Sequence, residues 1–165
     1  MSVAHFGVGM FTLGITIVSA FTVEADLSVR PGETVEVAGY SFKLTDLNNV
    51  QGPNYQALEG EIEIRKDGKF VAELRPQKRT YLVQQSPMTE AAIDAGWNRD
   101  LFVALGDPLG NDAWSMRLQY KPLIRFIWLG ALIMAFGGLI AASDRRYRLQ
   151  ATAREGTAAL REEPA

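Results

Sequence analysis

LIRFIWLGALIMAFGGLIAA, residues 123–142, decides how the rest of this chain is read. Its only charge is Arg125, and at about 1.5 Å rise per residue a helix of this length spans the roughly 30 Å hydrocarbon core of a bilayer. Gly130, Gly137 and Gly138 are tolerated better in a membrane helix than in a soluble one. The stretch is therefore read as a transmembrane helix. Arg145, Arg146 and Arg148 follow closely, and Lys and Arg beside a membrane helix stay cytoplasmic, so the C-terminus is expected inside. Trp128 suits an interfacial position, while Lys121 and Arg125 can extend towards headgroups on the outer side.

Working outward, VAHFGVGMFTLGITIVSAF at residues 3–21 is also long enough to cross. A signal peptide is the competing reading, with Val18-Ser19-Ala20 as a cleavage site. It lacks the positive n-region, however, and its apolar run exceeds the usual ~7–15 residues, so a second transmembrane helix is expected. The resulting organisation is a membrane α+β protein. Transmembrane helices at 3–23 and 123–142 flank a small antiparallel β-barrel or sandwich at 24–122 on the outer side, and 143–165 form a cytoplasmic tail.

Composition agrees. The 165 residues are 47% hydrophobic, enough for one small domain plus the spans, and the net charge of −2 argues against a nucleic-acid partner. The absence of cysteine excludes disulfides, zinc thiolates and a cysteine nucleophile, and leaves the compartment open. The lone histidine, His5, precludes a Ser/His/Asp set in the exported segment.

Between the helices, short β-branched or alternating runs recur at 34–37, 40–44, 61–64, 70–74, 80–83, 101–105 and 114–120, the pattern of a small barrel or sandwich. Asp67-Gly68 marks a tight hairpin turn. A short helix is expected at 90–95, capped by Ser86 or Thr89 and ended by Gly96. The loop from Gly106 to Asp112 reads as a polar turn or a weak cation site, without EF-hand spacing. Lys78-Arg79, with Arg75 and Tyr81 nearby, reads either as a dock for an acidic partner or propionate, or as a solvated edge strand.

His5, Gly9, Thr12, Thr16 and Ser19 recur at helical spacing, a small and polar face that predicts a seam against Ala131, Ala135, Gly138 and Ala142. An imidazole within a membrane helix is costly and points to a functional role, although a hydrogen bond to a neighbouring helix or an interfacial position also accounts for it. As a functional group it would serve as a haem-iron ligand needing a second axial partner.

Several segments carry a family resemblance: GPNY (52–55), PQKRTY (76–81), TEAAI (89–93), RDLFVALGDPLG (99–110), and WSMRLQYKPLIRFIWLGALIMAFGG (114–138) followed by SDRRYR. Together they resemble the C-terminal region of CcmF, the haem lyase subunit of system I cytochrome c maturation. The resemblance implies a multi-pass bacterial inner-membrane protein that takes haem from the chaperone CcmE and helps attach it to apocytochrome c, in complex with CcmH and CcmI. It also implies a resident haem b, with His5 as one axial ligand and the other on an N-terminal portion. The family's tryptophan-rich haem-handling motif and its other functional histidines do not occur here. The chain is therefore expected to be a split or truncated piece that assembles with that N-terminal portion and is inactive alone. The alternative is a cofactor-free, membrane-anchored β-domain acting as an assembly scaffold.

Overall fold

The structure, a computed structural model, describes residues 2–83 and 85–143. The expected tail therefore lies almost wholly outside the described residues. Two compact units are present, one built from the larger parts of the two helices and one, Thr16–Arg125, from the strands with the adjoining helix ends.

In the first unit, α1 (Ser2–Phe21) and α2 (Ile124–Ser143) are each long and apolar enough to cross a membrane. Only 11% of the most apolar stretch of either is buried, whereas an all-apolar helix in water belongs inside a core. They pair antiparallel through glycines seven residues apart. A Cβ on Gly7 would come within 2.7 Å of the Met134 backbone nitrogen, and one on Gly130 within 2.5 Å of that of Phe11. Gly14 meets Ile127 and Gly137 meets Ala4 in the same way. Such close backbone approach is how membrane helices gain packing energy without a hydrophobic drive.

This seam corrects the expected one. His5, Gly9, Thr12, Thr16 and Ser19 do share a face, but all are exposed. Nothing lies within 4 Å of a Cβ on Gly9 or on Gly138. The close backbone approach runs along Gly7, Gly14, Gly130 and Gly137 instead of the small polar stripe.

The second unit is a sandwich of two antiparallel sheets. Its strands are β1 (Val23–Val29), β2 (Thr34–Val37), β3 (Tyr40–Gln51), β4 (Tyr55–Lys66), β5 (Lys69–Leu74), β6 (Gln77–Tyr81), β7 (Pro87–Glu90), β8 (Ala92–Ala95), β9 (Arg99–Gly110) and β10 (Ala113–Pro122). One sheet has the order β1-β10-β9-β8. The other runs β2-β3-β4-β6-β7, with β5 also on β4. The edge of β4 is shared: residues Tyr55 to Glu59 pair β6, and Ile62 to Lys66 pair β5.

Alternation builds the core. Phe42 and Leu44 of β3, Ile62 and Ile64 of β4, Leu101 and Val103 of β9, and Met116 and Leu118 of β10 are buried between the sheets. Residues at alternate positions face outward, as the period of two requires. Asp67 and Gly68 both take positive φ, the primed turn that their sequence predicts.

The helix expected at 90–95 is not formed. Residues 87–90 and 92–95 are β7 and β8, strands of different sheets, so the chain crosses from one sheet to the other at Ala91. Glu-Ala-Ala favours helix, but one and a half turns cannot repay nucleation when β6 and β9 offer ready ladders. The strands also outnumber and outrun the seven short runs, because the polar segment from Asn48 to Gln51 continues β3 as a ribbon with β4.

Candidate functional site

His5 lies in the second turn of α1 with its side chain largely exposed. One turn further, Gly9 borders an open apolar hollow of about 280 Å³, which Phe6, Met10, Leu13 and Phe126 also line. His5 itself does not line this hollow, whose walls are apolar side chains.

In the sandwich, two segments singled out in the sequence meet. Register places Tyr55 opposite Tyr81 and Ala57 opposite Arg79. The Arg79 guanidinium stacks over the Tyr55 ring at 4.4 Å, the two tyrosine rings meet edge-on at 5.9 Å, and Glu90 pairs with Arg79 at 3.4 Å. Gly52 packs against the Tyr55 ring so closely that any side chain there would collide with it. Burial pulls the Arg79 pKa down, but the Tyr81 hydroxyl, Tyr55 and Glu90 outweigh it and leave it raised.

Lys78-Arg79 is thus neither a solvated edge nor a free basic dock. β6 is paired on both sides, Lys78 bonds Asp107, and Arg75 is ringed by Glu59, Glu61 and Glu73. The Gly106–Asp112 stretch, for its part, ends β9 and turns through Asn111 and Asp112, both at positive φ. Among the described residues, no group of three or more His, Asp or Glu side chains is arranged to hold a metal ion.

A groove of about 620 Å³ opens beside this region, lined in part by Asn49, Gln51, Gln56, Lys78 and Trp114. Its walls offer amide donors and acceptors and an aromatic face.

A third cluster surrounds Arg99, which sequence reasoning passed over because the neighbouring segment was taken for a helix. Its guanidinium donates to the Asp94 carbonyl at 3.1 Å and carboxylate at 2.5 Å and to the Tyr40 hydroxyl at 3.3 Å. Burial lowers its pKa, and the bonds to Asp94 and Tyr40 more than reverse this. Tyr40 in turn packs on Tyr120, with ring centroids 5.9 Å apart.

Residues 20–122, the whole sandwich, match the family model described as the CcmF C-terminal beta-sandwich. The chain belongs to the CcmF family. Among its relatives, the cytochrome c-type biogenesis protein CcmF of Pseudomonas aeruginosa is 48% identical over 154 residues, which are 93% of this chain and 23% of that protein. CcmF of Escherichia coli is 43% identical over 148 residues, 90% of this chain and again 23% of the relative. The solved structure titled Cytochrome c Heme Lyase CcmF aligns over 83% of this chain and 23% of its own, with TM-score 0.64 at 20% identity, which shows a shared fold. The chain thus spans about a quarter of the length of these CcmF proteins, and that quarter holds both apolar helices and the sandwich.

Proposed function

We propose that this chain is the C-terminal part of a CcmF-type haem lyase component and acts in cytochrome c biogenesis. The match of the whole sandwich to the CcmF C-terminal model, together with relatives named for that process, carries the reading. In it, α1 and α2 span the bacterial inner membrane, the β-sandwich stands on the periplasmic side, and the C-terminus is cytoplasmic. Two apolar helices that leave most of their surface uncovered support this placement.

In the same reading the His5 imidazole would hold the iron of a membrane haem b, a group that would supply redox chemistry to the maturation complex. Neutral imidazole offers one ring nitrogen to iron while the other donates a hydrogen bond. The uncrowded backbone at Gly9 and the apolar side chains of Phe6, Met10 and Leu13 would be the neighbours of such a group on α1. His5 is the chain's sole histidine, so a second imidazole ligand comes from the portion of the family that this chain does not span. The sandwich shapes the periplasmic face and meets CcmH, CcmI, CcmE or apocytochrome c, with the amide-lined groove as the surface suited to an extended segment.

The test is His5→Ala, assembled with the remaining CcmF portion and read by the reduced-minus-oxidised haem spectrum of the purified membrane complex. Loss of the haem b band, with assembly preserved, is expected. Full haem occupancy in that variant overturns the ligand assignment and leaves the scaffold role.

A further inference from the structure

The end of the four-stranded sheet where the chain arrives from α1 and departs into α2 is unlike the rest of the sandwich surface. Register brings the relevant strand ends together: Val23 pairs Tyr120, Pro122 pairs Arg99, and Ala95 pairs Asp100. The β8–β9 turn, Gly96-Trp97-Asn98, closes this end and presents the Trp97 side chain 69% exposed. Phe21, the last residue of α1, is 65% exposed, and Val23 is exposed beside it. A tryptophan and a phenylalanine displayed at the same end of one sheet, on its two edges, are costly in water, and they are side chains that favour the boundary between headgroups and acyl chains.

The turn is not a swinging loop. The Gly96 N–H donates to the Arg99 carbonyl at 2.9 Å, and a Cβ at Gly96 would come within 2.7 Å of that same oxygen. The Leu123 N–H donates to the Asn98 carbonyl at 2.9 Å, and Arg125 Nε donates to the Gly96 carbonyl at 2.8 Å. Leu123 itself is held at positive φ. The residues that open α2 are therefore bonded directly to the turn that carries Trp97. Once α2 enters a bilayer, this turn has no free length by which to leave its surface.

We propose that the β8–β9 turn is a membrane-surface anchor, with Trp97 seated in the outer-leaflet headgroup region and Phe21 at the opposite edge of the same end of the sheet. This rests on the membrane placement proposed above. The bonds from Leu123 and Arg125 set the height of the anchor, and Lys121, whose ammonium lies 5.5 Å from the Phe102 ring centroid, supplies a cation for lipid phosphate at the same strand end.

The experiment uses the full chain in phosphatidylcholine–phosphatidylglycerol vesicles. Trp97, Trp114 and Trp128 are its three tryptophans, and single-tryptophan variants made with Trp→Phe report each in turn. Lipids brominated near the headgroup end of the acyl chain should quench Trp97 and blue-shift its emission, and should leave Trp114 bright. A Trp97 that responds only to aqueous iodide, while Trp128 is quenched by brominated lipid, overturns the anchor and leaves the membrane helix standing. A silent Trp128 overturns the membrane placement and the anchor with it. Trp97→Phe alone alters one exposed side chain, so loss of the shallow-quenched component from that variant reads the same result without disturbing the core.

Discussion

Arg99 shows how much one side chain can join. Its guanidinium ties the end of β8 to the start of β9 through Asp94 and reaches the Tyr40 hydroxyl on the opposite sheet, with only 12% of its side chain exposed. Arg99→Ala leaves the Asp94 carboxylate and the Tyr40 hydroxyl short of a donor, and is expected to lower unfolding free energy by about 1–3 kcal/mol, measured by denaturant titration of the detergent-solubilised chain. Arg99→Lys should recover little, because an ammonium cannot fork to a carboxylate and a hydroxyl at once. The sequence held no sign of this role. Arg99 is distant from Tyr40 along the chain, and only the strand assignment of residues 92–95 brings Asp94 beside it. His5 is the opposite case: a lone imidazole in an apolar run is conspicuous without any structure, because its cost in that setting demands a reason.

Among the elements, the helix pair rests on glycines placed a heptad apart. Gly130→Ala puts a methyl group against the Phe11 backbone and should lower the melting temperature of the helix pair in detergent, at a cost of about 1–3 kcal/mol. Gly138→Ala faces open space, and by the same circular-dichroism melt should leave the midpoint unchanged. Equal midpoints for the two variants would refute the seam. The existence of both helices was legible from length and hydropathy alone, since twenty apolar residues admit few alternatives. Their contact face was not, because the small polar stripe and the glycine heptad both satisfy helical spacing. Only the partner's backbone distinguishes them. Strands with strict alternation, such as β10, were likewise readable. The polar half of β3 and the pair β7 and β8 were not, since their ladders come from neighbours rather than from their own propensity.

For the molecule as a whole, the first and last strands of the sandwich, β1 and β10, pair side by side in the four-stranded sheet. Asp26 of β1 accepts two bonds from Arg117 of β10, at 2.8 and 2.9 Å, and the Arg117 hydrogen bonds hold its carboxyl below the ordinary carboxylate value despite the opposing effect of desolvation. A depressed acid stabilises the fold above its unfolded pKa of about 3.9, and the contribution disappears as pH falls through the lower folded value. Asp26→Asn should therefore flatten the fall in stability below about pH 4, followed as unfolding midpoint against pH. An unchanged acid limb would mean that other carboxylates govern it. At neutral pH the exposed pair contributes little in physiological salt.

That pairing also sets an order of events in time. Asp26 and Arg117 are 91 positions apart, and every residue of β1 between Val23 and Val29 takes its partner from β10. While the polypeptide is being made, β1 emerges first and β10 last, so its ladder groups stay unpaired through nearly the whole synthesis of the sandwich. Non-local pairing of this kind folds slowly, and an unpaired strand is open to joining the wrong neighbour. The β3–β4 hairpin can form as soon as residue 66 is available, yet the four-stranded sheet waits for the codons just before α2. A nascent chain stalled short of Trp114 would therefore carry an adhesive strand at its beginning.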